Sequence, residues 1–298
     1  MGLDGPRAEK PVRKLHKLLK KMPAVPSVED IHDFRTNSRR IEATLQALSL
    51  NSKNNCRRVL KQISRLRKRA GKVRDMDVLT DFLSRVPRPD EEGECYVQVL
   101  EHLGARRQTY AKKFDSARER YEPELKKGLK RISREIVEAL PSHGKKDWAT
   151  NPASADVAAS ALKLLVELSQ PLRLAKTNLH PYRLKVKELR NLLQMAEESD
   201  QQEFVRTLGE VKDAIGEWHD WQQLVMIAVK VLDHGSRCQL LSELRRTGET
   251  KYRRALTLTE TMRKQFLRMP DRTTKRASRH RMVGPAEPVW SATAALVA

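Results

Sequence analysis

Two stretches of this chain repeat one another, and that repeat constrains the fold more than any other feature. The first is His32-Asp33-Phe34-Arg35-Thr36-Asn37-Ser38-Arg39-Arg40. The second is His180-Pro181-Tyr182-Arg183-Leu184-Lys185-Val186-Lys187, offset by 148 residues. Arg183 stands in the place of Arg35, Lys187 in that of Arg39 and Tyr182 in that of Phe34, while Leu189 and Leu193 replace Ile41 and Leu45. A second signature follows each copy: Gly71-Lys72-Val73-Arg74-Asp75 is matched by Gly216-Glu217-Trp218-His219-Asp220 at an offset of 145. Two signatures in the same order at nearly the same offset imply an internal duplication, and so long a period means two fused half-domains rather than a solenoid.

The repeated element reads as a helix with two faces. At about 100° per residue, His32, Arg35 and Arg39 share one side. Ile31, Phe34, Ile41, Leu45 and Leu48 form an apolar stripe roughly 120° away. One face enters a core, and the other holds an imidazole and two guanidiniums where an anion can meet them.

The same period carries the rest of the chain, so the class is all-α. Residues 8 to 22 form a first helix, with Leu15, Leu18, Leu19 and Met22 on one side and Lys10, Arg13, Lys17 and Lys20 opposite. Pro23 and Pro26 end it, and Ser27 with Asp30 makes a capping-box start for the next. A long helix over 53 to 75 continues through 76 to 85. Residues 87 to 93 form a loop, 95 to 121 a further helix, and Pro123 opens another. Pro141 to Pro152 is the linker between halves. Helices then follow over 153–169, at His180 with Pro181 in its first turn, over 201–233 and over 236–267. The half-domains are thus expected at 8–142 and 152–268, after a disordered start at 1–6 and before a disordered basic tail at 270–298.

The long helix carries a distinctive charge pattern. Arg58, Lys61, Arg65, Lys68 and Lys72 run at 3-4-3-4 spacing, about 150° from the apolar stripe of Val59, Ile63, Leu66, Ala70 and Val73. No acidic residue lies between Arg57 and Arg74. Like charges at i, i+4 repel, so this accumulation costs stability unless a polyanion compensates. The whole chain agrees: 298 residues carry a net charge of +21, a surface that attracts polyanions. Nucleic acid, an anionic membrane surface and polyphosphate all qualify on charge. Aromatic residues are only 5%, and Phe34, Phe82, Tyr110, Phe114, Tyr182 and Phe266 sit in apolar stripes. The single-strand pattern of stacking rings among cations is therefore missing. Cys56, Cys95 and Cys238 are widely separated, which points away from a disulfide framework and to a reducing, cytoplasmic compartment. No signal-like or membrane-spanning run is present, and no zinc-ligand spacing is found.

These motifs resemble the CHAD family of histidine-containing α-helical domains. The likeness rests on H-x-x-R-x-x-x-R-R at His32 to Arg40, H-x-x-R-x-x-x-K-x-x-R at His180 to Arg190, G-x-x-R-D-x-D at Gly71 to Asp77 and G-x-x-H-D at Gly216 to Asp220. It covers about Lys10 to about Leu267. The resemblance implies two four-helix bundles related by a pseudo-twofold, with a basic groove or pore between them. It also implies binding of inorganic polyphosphate, a reading with which a place at polyphosphate granules is compatible. Glu188 and Asn191 depart from the basic and aromatic residues usual in the family's second element.

The expected contact set is Arg13, Lys17 and Lys20; His32, Arg35, Arg39 and Arg40; Arg58, Lys61, Arg65, Lys68, Lys72 and Arg74; and His180, Arg183, Lys187 and Arg190. Arginine binds phosphate oxygens in bidentate fashion and lysine acts as a mobile point charge. No cofactor or metal is needed, and catalysis is not expected. The histidines either contact phosphate or organise the helix end. The alternatives are a nucleic-acid-binding basic helical protein and a metal-dependent phosphohydrolase, the latter raised by His32-Asp33 and His219-Asp220. Those two dipeptides are not at equivalent positions of the repeat. Arg65, Lys68 and Lys72 align with Glu210, Asp213 and Glu217, so the halves are expected to contribute unequally.

Overall fold

The computed structural model describes residues 5–87, 93–139, 152–170, 173–196, 201–232 and 238–267. Among them are eight helices and no strand: α1 (Gly5–Lys21), α2 (Val28–Ala47), α3 (Asn54–Ser84), α4 (Gly93–Ala139), α5 (Pro152–Ser169), α6 (Leu179–Ala196), α7 (Gln202–Val231) and α8 (Gln239–Phe266). The expected linker core, the loop at 88–92 and the basic tail lie outside the described residues.

The chain forms two compact units. One holds α1 to α4 together with the end of α7 and the start of α8, between Gln223 and Leu244. The other holds α5, α6, α7 up to Gln222 and α8 from Arg245.

In the first unit α1 packs on α2 and α4, and α3 packs on α2 and α4. The four helices thus close a ring in which α1 and α3 are diagonal. The apolar stripe read from the sequence is the core: Ile31, Phe34, Ile41 and Leu45 of α2 meet Val59, Ile63 and Leu66 of α3 with no exposure above 1%. Phe34 meets Phe114 of α4 edge-on, with centroids 5.4 Å apart. Ser27 caps α2 as expected. Its hydroxyl accepts from the Asp30 N–H at 3.1 Å, and the Asp30 carboxylate accepts from the Ser27 N–H at 3.0 Å. In the second unit the core draws on all four helices, including Leu168, Tyr182, Val186, Leu208, Ile215, Trp218 and Met262.

The helix boundary expected at Pro123 is absent. Pro123 does not open a helix; α4 runs through it as a single element of 47 residues. Proline removes one backbone donor. Here its ring is on the exposed side, while Phe114, Ala117, Leu125 and Leu129 stay buried on either side of it. Ion pairs on the flanks hold the turn together, Arg118 with Glu122 at 2.7 Å and Lys126 with Glu122. Continuous burial and these pairs outweigh the local breaker.

A buried pair fixes α3 to α4. Asp77, with a side chain 3% exposed, accepts from Arg107 Nε at 2.6 Å. The same guanidinium donates to the Pro26 carbonyl at 3.0 Å and so pins the α1–α2 connection.

Candidate polyanion-binding faces

The α2–α3 face of the first unit begins with a missing side chain. A Cβ at Gly71 would sit 2.8 Å from Arg35 Nη1. Glycine therefore provides a seat that lets the Arg35 guanidinium lie against α3. Arg39, Arg67 and Arg74 are its cationic neighbours and Asp75 its anionic one. Burial, then Arg39, pulls the Arg35 pKa down. Burial among these groups raises the Asp75 carboxyl, against the opposing pull of Arg35 and Arg74. The Arg35 shift reports a cation crowded by other cations, and at Asp75 desolvation outweighs the pull of the two guanidiniums. Arg67 is taken up by Glu42 at 2.6 Å. Among the described residues Arg39, Lys68 and Arg74 form no salt bridge to a carboxylate. His32, one turn before, is exposed, with Nε2 3.4 Å from Thr36 Oγ1.

Lys68 lies on the outer side of α3 and links this face to the α3–α4 flank. There Arg65 Nη1 donates to Tyr121 Oη at 3.4 Å. Lys72 Nζ stands 5.7 Å over the Tyr110 ring, which Arg106 also approaches at 5.8 Å. Toward the start of α3 the stripe opens into a depression of about 810 Å³ lined by Asn54, Asn55, Arg57, Arg58, Lys61 and Arg131. The five stripe cations are all exposed.

Not every expected residue joins these faces. Arg13, Lys17 and Lys20 share one side of α1, and Arg13 borders a groove between α1 and α4. Because α1 and α3 are diagonal in the ring, that groove is on the far side of the bundle from the α2–α3 face. Arg40 lies about 140° round α2 from Arg35 and points away from α3.

The second unit repeats the seat. A Cβ at Gly216 would lie 2.8 Å from Arg183 Nη2, 3.0 Å from Nε and 3.1 Å from Cζ. Here the fit is tighter, because Arg183 Nε also donates to the Lys212 carbonyl at 3.1 Å. That carbonyl has a second lone pair beyond its helical bond, and the absent side chain uncovers it. Seven residues on, Arg190 Nε sits 3.1 Å from where a Cβ of Gly209 would be. Two arginines seven apart on α6 thus meet two glycines seven apart on α7, in antiparallel register.

Beside Arg183, the rings of His180 and His219 stack with centroids 4.2 Å apart and 34° between planes. Burial first, then Arg183, lowers the His180 pKa. Burial, then His180 and Arg183, lowers that of His219. His219 was not among the expected contacts. It occupies the position of Arg74 in the repeat, and the shared G-x-x-R/H-D pattern was the signal for it.

The aligned carboxylates are engaged inside their own unit. Glu210 pairs with Arg206 at 2.6 Å and Asp213 with Lys212 at 2.8 Å. Glu217 pairs with Lys251 at 2.7 Å and Arg254 at 4.0 Å. Where α3 presents cations, α7 presents internal pairs.

The family model of the CHAD domain matches residues 12–226. The chain belongs to the CHAD family. That match spans both arginine seats, from α1 of the CHAD domain to within α7. No curated protein and no solved structure matches the chain. Among the described residues no helix is long and apolar enough to cross a membrane.

Proposed function

We propose that this CHAD domain binds inorganic polyphosphate and does not turn it over. The observation that carries the reading is the α2–α3 face: the Arg35 guanidinium lies on Gly71 with Arg39, Arg67 and Arg74 as cationic neighbours and Asp75 as its anionic one, and Glu42 engages Arg67 alone. The family match supports it. Such a face offers several charge-assisted donors to successive phosphates. A long chain engages many of them at once, so modest contacts multiply through effective concentration. Arg183, with His180 and His219, offers a smaller set on the second unit. Protonated imidazoles donate from both nitrogens, so phosphate at that pair draws protons onto it.

The test is competition. Long-chain polyphosphate carrying a fluorescent end label is bound by the full chain at fixed salt, and unlabelled polyphosphate or single-stranded RNA of equal total charge is added. Polyphosphate should displace the probe at a concentration at least tenfold lower than RNA does, and affinity should fall steeply with salt. Equal displacement by RNA would leave only a generic basic surface. Incubation with polyphosphate and Mg²⁺ or Mn²⁺ should release no orthophosphate. Release that disappears in His32→Ala would mark an enzyme.

A further inference from the structure

The α2–α3 face is not the only basic surface of the first unit. Between α1 and α4 runs a groove of about 450 Å³ whose lining includes Val12 and Leu129 on the floor and Arg13, His16, Lys130 and Arg134 at the edges. The floor is aliphatic and buried, so the edge cations act across a poorly polarisable gap that concentrates their field. Burial, then Lys130, Lys126 and Lys20, lowers the pKa of His16. Glu9 reaches two of the lining residues and is engaged by both: it accepts from Ser133 Oγ and lies 3.7 Å from Arg13. Lys130 and Arg134 remain as exposed cations that form no salt bridge among the described residues.

The packing order places this groove opposite the face of the proposed function. With α1 next to α2 and α4, and α3 next to the same two, the α1–α4 and α2–α3 seams lie on opposite sides of one bundle. A ligand on one seam leaves the other uncovered. No Phe, Tyr or Trp lines the groove, and its one ring is the His16 imidazole, so successive bases have no stacking platform, and an anion built of phosphate alone fits its chemistry better.

We propose that the α1–α4 groove is a second polyphosphate site, and that the first unit holds two separate phosphate chains on its opposite seams and bridges them. This rests on the polyphosphate reading above and adds a valence to it. A protein with two such seams links chains into a network while chains outnumber seams, and releases them when protein is in excess.

The experiment mixes two pools of end-labelled long-chain polyphosphate, one with a donor dye and one with an acceptor, and titrates in the full chain. Anisotropy reports binding and energy transfer reports bridging. Wild type should raise transfer to a maximum and lose it again at excess protein. Lys130→Glu with Arg134→Glu should abolish the transfer maximum while anisotropy affinity stays within about threefold. Lys163→Glu with Lys264→Glu, matched in charge and placed in the second unit, should keep it.

Binding without transfer in wild type would overturn the second site and leave the polyphosphate reading intact. Absence of binding would overturn both. Transfer retained by the groove variant would show that bridging does not use this groove. Transfer lost equally in the control would reduce it to bulk charge. Joint loss of binding and transfer in a groove variant with an unchanged melt would make the groove part of one continuous site, which also refutes the proposal.

Discussion

Gly71→Ala and Gly216→Ala are the same substitution at matched positions of the repeat, yet they should change stability in opposite directions. Alanine in place of a helix-interior glycine gains about 0.8–1.0 kcal/mol from backbone propensity. At Gly71 the new methyl meets one atom, Arg35 Nη1 at 2.8 Å, with the next at 4.0 Å. That atom ends a long flexible side chain and can swing away by a few tenths of an ångström. The gain survives, so the variant should be stabilised by about 0.5–1 kcal/mol, a Tm rise of roughly 1–4 °C for a chain this size. At Gly216 the methyl meets three guanidinium atoms within 3.1 Å, and moving them breaks the Arg183 bond to the Lys212 carbonyl. Losing a hydrogen bond from a charged donor costs about 1.5–3 kcal/mol, so the net change is a loss of about 0.5–2 kcal/mol. Thermal melts followed by circular dichroism measure both. Because Arg35 remains on its face, Gly71→Ala should change polyphosphate affinity by less than about threefold, ~0.65 kcal/mol. Shifts of the same sign, or a larger loss at Gly71, would refute the argument that these glycines seat the arginines with unequal tightness.

Three further outcomes follow from the same contacts. Arg35→Ala with Arg39→Ala should weaken polyphosphate binding roughly tenfold, ~1.4 kcal/mol, and Arg183→Ala with Lys187→Ala by less. Equal losses by anisotropy, in variants shown to be folded, would contradict the asymmetry. His180 and His219 hold fewer protons when folded than when unfolded, since both pKa values lie below the ordinary 6.5. Stability should therefore fall as pH drops below about 6.5, while polyphosphate affinity rises as bound phosphate favours the imidazolium forms. An affinity slope between pH 7.5 and 5.5 that is the same in His219→Gln would exclude the pair as its source. Asp77→Ala leaves Arg107, whose side chain is 23% exposed, without its carboxylate. Breaking a buried pair costs about 3–5 kcal/mol, so urea unfolding should show a loss near the lower figure, and a loss under about 1 kcal/mol would mean the pair is not what joins α3 to α4.

Much of the fold was legible because it depends on local periodicity. The stripes of Phe34, Ile41 and Leu45 and of Val59, Ile63 and Leu66 became core, and Ser27-Asp30 became a reciprocal cap. Pro123 misled because a local breaker was weighed without the tertiary burial on both sides of it. The site was less legible. A helical wheel groups Arg13, Lys17 and Lys20 on one side of α1, but cannot say that α1 lies diagonal to α3. The arginine seats escaped for the same reason. Gly71, Gly209 and Gly216 can be read from the sequence, whereas their meeting with Arg35, Arg190 and Arg183 depends on the register between helices.

Both units seat an arginine on a glycine, while the charges beside the seat differ. At Gly216 three Arg183 atoms lie within 3.1 Å of where a Cβ would be and Nε donates to the Lys212 carbonyl, so that seat admits no side chain without losing the bond, whereas at Gly71 only Arg35 Nη1 is so close. The outer faces of α3 and α7 carry no such steric condition. There Arg65, Lys68 and Lys72 correspond to Glu210, Asp213 and Glu217, whose charges are taken up by Arg206, Lys212, Lys251 and Arg254. Each exchange substitutes an internal pair for a cation open to solvent, and exposed pairs are worth little to stability. Its main effect is on the field a polyanion meets. A polymer held at many points tolerates such losses one by one, because each lowers effective concentration without removing the site. A methyl at Gly216 instead displaces Arg183 itself, the cation that the seat holds.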